Sequence, residues 1–142
     1  MLSFLLNYGR NMTKPISRRL HGLITDYPYV ALVSTAPETI GFKDEQTATT
    51  LCRTLGGGIL GSSLLTRAEW GAVPAISFKT HLVLDVVNGL FAASAPWVFG
   101  FSENRRARNF FLVAGAFGIA AGLLSQPEEM NKQEQLEKFG ED

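Results

Sequence analysis

Asp26 and Asp85 each lie about one to two turns inside an apolar segment. Carboxylates in such a setting are costly, and they could relay protons or bind a cation, so the two form a candidate proton or cation site. The plainer alternative is a near-interface position, each Asp paired with Arg18, Arg19, Arg67 or Lys79. His21 and His81 open two equivalent segments, and two imidazoles at matched depth could ligate a haem iron axially or hold another pigment metal. Neither His sits in a recognisable ligand motif, so ordinary interface histidines are the default, with no cofactor and no metal assigned. Glu38 and Arg53 form a third candidate: across a hairpin turning near residues 42–46 they approach one another as an intramembrane ion pair. Cys52 reads as a small packing residue.

Nothing in the chain points to catalysis. Gly56-Gly57-Gly58 lacks the Lys-Ser/Thr of a phosphate loop, and no HExxH or nucleophile–base arrangement appears. One cysteine precludes an intrachain disulfide or a CxxC pair. Thirteen basic residues balance thirteen acidic ones over 142 residues, which removes the whole-chain electrostatic case for a nucleic-acid partner. Charge is scarce at 18% and uneven, since residues 86–102 and 109–127 carry none. The mean hydropathy of +0.09 therefore averages apolar blocks with polar ends.

The elements that position these residues come from a duplication. Shifting the sequence by 59 residues aligns residues 22–70 with 81–129 at 11 identities without a gap; unrelated chains would share roughly three. Asp26 falls on Asp85, Ala36-Pro37 on Ala95-Pro96, and Gly41-Phe42 on Gly100-Phe101, while the two His fall one residue out of register. Glu38 and Arg53 correspond to Trp97 and Leu112, so both charges of the pair vanish together in the second unit.

Each unit reads as two apolar segments joined by a short polar turn, about 20–39 and 47–66, then 80–98 and 106–125. Segments of this length fit a bilayer core, and residues 109–125 lack the polar face of a soluble helix. The expected fold is all-α: four transmembrane helices as two tandemly duplicated helical hairpins, the first repeat at 20–66 and the second at 80–127. A basic N-terminal segment, 1–19, reads as a frayed or surface-lying stretch, with a membrane-interface anchor as the alternative; 67–79 is the connecting loop, and 128–142 is an acidic polar tail, solvated or a short frayed helix. Gly57-x-x-x-Gly61 and Gly118-x-x-x-Gly122 point to a tight contact between the second and fourth helices, or to part of an oligomer seam. Eight basic residues on the side of the termini against four at the turns put both termini in the cytoplasm.

The run Ser94-Ala95-Pro96-Trp97-Val98-Phe99-Gly100-Phe101, after Asn88-Gly89-Leu90 and before Ala107-x-Asn109, resembles the signature of the SPW-repeat family of small bacterial integral membrane proteins. The second unit carries the likeness best; Ala95 replaces the family's Ser before Pro, and Glu38 stands where the first unit would have Trp. The resemblance implies a multi-pass protein of the bacterial inner (cytoplasmic) membrane and no established activity. Read physically, Pro37, Gly41 and Phe42, like Pro96, Trp97, Gly100 and Phe101, form a helix stop. The functional expectation is a non-catalytic structural or accessory subunit whose partners are the lipid bilayer and a homo-oligomer or larger membrane complex. The alternatives are a small transporter or ion-conducting oligomer using the carboxylates, and a haem or pigment binder.

Overall fold

A computed structural model describes Met1 and residues 14–140, and among them the chain is helical without a strand. The basic N-terminal segment, Met1 and residues 14–19 aside, lies outside the described residues. The first limb begins with α1 (Arg18–His21), passes through a π-helical turn (Gly22–Asp26) into α2 (Tyr27–Ala36), and ends in a second π turn (Pro37–Gly41). It folds back as α3 (Gln46–Leu64). The second repeat is α4 (Phe78–Val98) and α5 (Arg105–Leu124), followed by the short α6 (Lys132–Phe139).

Equivalent chemistry shapes the two repeats. Ser17 and Ser77 cap the opening helices, accepting from the amides of Leu20 and Thr80. At the far ends, the amides of Phe42 and Phe101 bond the carbonyls of Pro37 and Pro96, both at 2.9 Å. Gly41 and Gly100 make this possible with φ of 86° and 77°, a region side chains avoid. Phe42 and Phe101 then tuck into a shared core with Ala36, Ala95, Ala48, Ala107 and Phe111. Five of the duplicated identities, at Ala36, Pro37, Phe42, Ala48 and Gly56, are buried in both repeats, where volume is constrained.

The first π turn explains why the His residues slip register. Its backbone bond runs from the Tyr27 amide to the Gly22 carbonyl, five residues apart, so it absorbs one extra residue. His21 and Asp26, five apart, therefore share a face as His81 and Asp85 do at four apart. Gly22 is required there because a Cβ would strike the ring of Trp70.

The repeats cross at their ends. Ile16 pairs with the end of the second repeat: its amide bonds Leu124 and its carbonyl receives Gln126. Ile76 makes the same bonds with the end of the first repeat, to Leu65 and from Arg67. Exchanging the halves exchanges these contacts, as in a two-fold pairing.

Three expectations change. Among the described residues, only helices α4 and α5 are long and apolar enough to cross a membrane, at ~30 Å each. The first repeat falls short because Asp26, Pro28 and Glu38 interrupt its first limb and Arg53 its second. Second, the glycine spacings do not join the second and fourth helices. Gly118 and Gly122 lie against Asp85, Gly89 and Leu82 of α4, and a Cβ on Gly89 or Gly115 would come within 2.6 Å of the other's carbonyl. Gly57, Gly58 and Gly61 meet nothing within 4 Å. Third, the acidic tail is docked: Met130 is buried, Glu129 accepts from the amides of Phe78 and Lys79, and Asn131 with Glu134 forms a capping box on α6.

Replacing Gly115 with Val should destabilise the detergent-solubilised protein by ~1–3 kcal/mol. Gly58→Ala should be neutral or stabilising by up to ~1 kcal/mol. Denaturant unfolding of the two variants checks the assigned packing, and equal effects would contradict it.

Candidate functional site

The N-terminal turns of α1 and α4 bring His21, Asp26, His81 and Asp85 into one buried cluster between the repeats. Both imidazoles are inaccessible to solvent, as befits side chains at a helix–helix seam rather than at an interface. Each is fixed from the other repeat. Nδ1 of His21 lies 2.7 Å from Ser125 Oγ, and Nδ1 of His81 lies 2.9 Å from Thr66 Oγ1. Thr66 and Ser125 are themselves equivalent positions under the duplication.

These hydroxyls decide the tautomers. Ser125 donates its only proton to the Ala121 carbonyl at 2.6 Å, and Thr66 donates its own to Ser62 at 2.5 Å. Each hydroxyl is left to accept, so each Nδ1 carries the proton. In the neutral ring Nε2 is then a bare lone pair.

Both Nε2 atoms face the carboxylates. His21 Nε2 is 3.1 Å from Asp26 Oδ1 and 3.0 Å from Asp85 Oδ2; His81 Nε2 is 2.9 Å from Asp26 Oδ2 and 3.6 Å from Asp85 Oδ1. Although these distances are short, neither Nε2 has hydrogen-bond geometry to any partner, and neither does Asp85 Oδ2. Ser63 donates to Asp26 Oδ2 at 3.1 Å, whereas its equivalent in the second repeat is Gly122, which leaves Asp85 without that support. Beside the carboxylates, lined also by Tyr29 and Asn88, is a cavity of about 20 Å³, room for about one water molecule.

Trp70 closes the cluster on the loop side. Its ring stacks on His21 at 6.0 Å, meets His81 edgewise at 5.3 Å, and its Nε1 donates to the Arg18 carbonyl. Outside it, Arg18 bonds Glu69 at 2.7 Å and Glu134 at 3.3 Å, while Arg19 reaches Glu69 at 3.2 Å. Partial burial would raise the Glu69 carboxyl, but the hydrogen bonds and charge of Arg18 hold it below its ordinary value.

The sequence keeps the carboxylates and imidazoles as separate candidates and assigns no metal; the fold unites all four in a donor set that a metal ion could use. Asp26 and Asp85 do not pair with Arg18, Arg19, Arg67 or Lys79; their neighbours are the two His. Haem does not suit the site, because ring centroids 5.3 Å apart leave no slot for a porphyrin between them. Glu38 Oε1 and Arg53 Nη2 lie 2.5 Å apart, each about half exposed at the opposite end of the first repeat. The Pro37 and Pro96 turns, Trp97 included, also lie at that end, away from the cluster. Sequence reasoning misses Thr66, Ser125, Ser63 and Trp70, although hydroxyls at equivalent positions 66 and 125 were a usable signal.

Comparison with known proteins finds no family model, curated relative or solved structure that matches this chain.

Two outcomes check these electrostatics. The stability difference between wild type and Glu69→Gln should be full above pH 4.5, the ordinary value for this carboxyl. It should shrink as pH falls through the lower folded value, because the ionised form is the one Arg18 favours; a pH-independent difference would contradict the pairing. Charge reversal at Glu38 or Arg53 alone should lower stability by ~0.2–1 kcal/mol, and reversing both should restore it.

Proposed function

We propose that this chain is a non-catalytic integral membrane protein, a structural or accessory subunit whose two hairpin repeats are clamped by the buried His–Asp cluster. The observation that carries the reading is the distribution of apolar surface. Val83, Val87, Leu90 and Val98 of α4 and Val113 and Leu123 of α5 are more than half exposed, while His21, Asp26 and His81 turn inward. Leu23, Ile24 and Leu32 continue the apolar surface onto the first repeat. A helix in water places its apolar stripe inside, and this arrangement is the reverse.

On this reading all four limbs face lipid, with the first repeat's polar interruptions answered within the protein: Asp26 by the cluster and Glu38 by Arg53. The resemblance to SPW-repeat proteins agrees with it, and so does the bias of basic residues that would place both termini in the cytoplasm of a bacterial cell. Partners would be the bilayer and further copies or a larger membrane complex, met through the exposed faces of the spans.

Conduction of protons or cations is the second reading, motivated by the two buried carboxylates. The space beside them is a one-water cavity rather than a pathway, which favours the accessory role.

Membranes washed at high pH should retain the full-length protein, which should need detergent for release. A compact monomer in the supernatant without detergent would overturn the proposal. In liposomes, wild type should give no ion flux above background; flux abolished by Asp26→Asn and Asp85→Asn would favour conduction.

A further inference from the structure

We infer that His21, Asp26, His81 and Asp85 bind one divalent transition-metal ion, the two imidazole nitrogens and two carboxylate oxygens forming a tetrahedral set. This goes beyond the accessory role and holds whether the surrounding solvent is lipid or water.

Geometry carries it first. One ligand atom from each residue can be chosen so that all four lie within 4.8 Å of one another. Ligands ~2.0–2.1 Å from a tetrahedral ion stand about 3.3–3.4 Å apart; the closest nitrogen–oxygen approaches, 2.9–3.6 Å and shared between both oxygens of each carboxylate, are of that size, and one oxygen of each would turn to the ion. Hydrogen-bonded ion pairs would put an N–H on line with an oxygen, yet neither Nε2 is so aligned.

The outer contacts carry it second. Metal-bound imidazoles commonly donate their other N–H to a fixed acceptor, which sets the tautomer and aims the lone pair. Ser125 and Thr66 do this here, each with its own proton committed to a backbone carbonyl. The same device occurs on both sides of the seam, each time contributed by the opposite repeat.

Charge balance is the third support. The set encloses two carboxylates, and the Arg18 and Arg19 guanidinium groups are engaged with Glu69 rather than with them. A divalent ion neutralises the set at its centre. Imidazole with carboxylate suits zinc, manganese or ferrous iron; the absence of thiolate and thioether from the set argues against cuprous ion, and its two nitrogens argue against calcium or magnesium.

The test uses full-length protein extracted from membranes in mild detergent and purified without chelators or a polyhistidine tag. Elemental analysis should find about one zinc, manganese or iron per chain, as a single four-donor site requires. After chelation, added cobalt(II) should produce the intense visible absorption of a tetrahedral cobalt centre, competed away by zinc. Asp85→Asn should abolish both signals, and Glu38→Gln should leave them unchanged. Thr66→Val and Ser125→Ala, which keep all four donors, should fold and bind 10–100-fold more weakly, about the usual cost of losing an outer contact. Metal-free protein that gives no cobalt spectrum and no zinc-dependent rise in melting temperature overturns the site, as does retention of metal by Asp85→Asn. Neither result bears on membrane residence, which is read separately by extraction.

Discussion

Two imidazole rings, each anchored through Nδ1 to a hydroxyl of the opposite repeat, hold the centre of this molecule. With Nδ1 engaged there, both Nε2 atoms face Asp26 and Asp85, and an apolar interior cannot hold two carboxylates against bare ring nitrogens without positive charge. The crossed backbone bonds of Ile16 and Ile76 bring Ser125 and Thr66 to the right height, and Trp70 seals the loop side. The cluster is thus the place where the duplication becomes a single structure: neither repeat supplies the hydroxyl that anchors its own imidazole.

The remaining architecture encloses that centre. Close packing of α4 on α5 through Gly89, Gly115 and Gly122 brings two backbones together with little side-chain volume between them. At the opposite end the Phe42 and Phe101 turns close an apolar core. The tail adds a cap, with Glu129 on the first amides of α4 and Glu134 on Arg18. Apolar side chains are left outward along α4 and α5, an arrangement that suits contact with lipid.

Much of this was legible in the sequence, for definable reasons. The repeat was visible because its identities, Ala36 with Ala95 or Phe42 with Phe101, occupy buried positions where volume is constrained. The Glu38–Arg53 proximity could be read because both charges disappear together in the second unit. The meaning of the one-residue His slip was not legible, since an insertion absorbed by a π turn leaves no compositional mark. Nor could glycine spacing name its partner: small residues permit close approach to any helix, and here the neighbour was the hairpin mate. The cluster itself was missed because two-fold crossing brings residues together that each repeat, read alone, keeps near a membrane surface. Thr66 and Ser125 match in chemistry but not in identity, so counting identities passes over them.

Nitrogen NMR of the imidazole rings in the full-length, metal-loaded protein tests the central claim most directly. Both histidines should be protonated at Nδ1 alone, with Nε2 shifted as a ligated lone pair. Protons on both nitrogens of each ring would mean imidazolium–carboxylate pairs hold the repeats together, and would contradict the account.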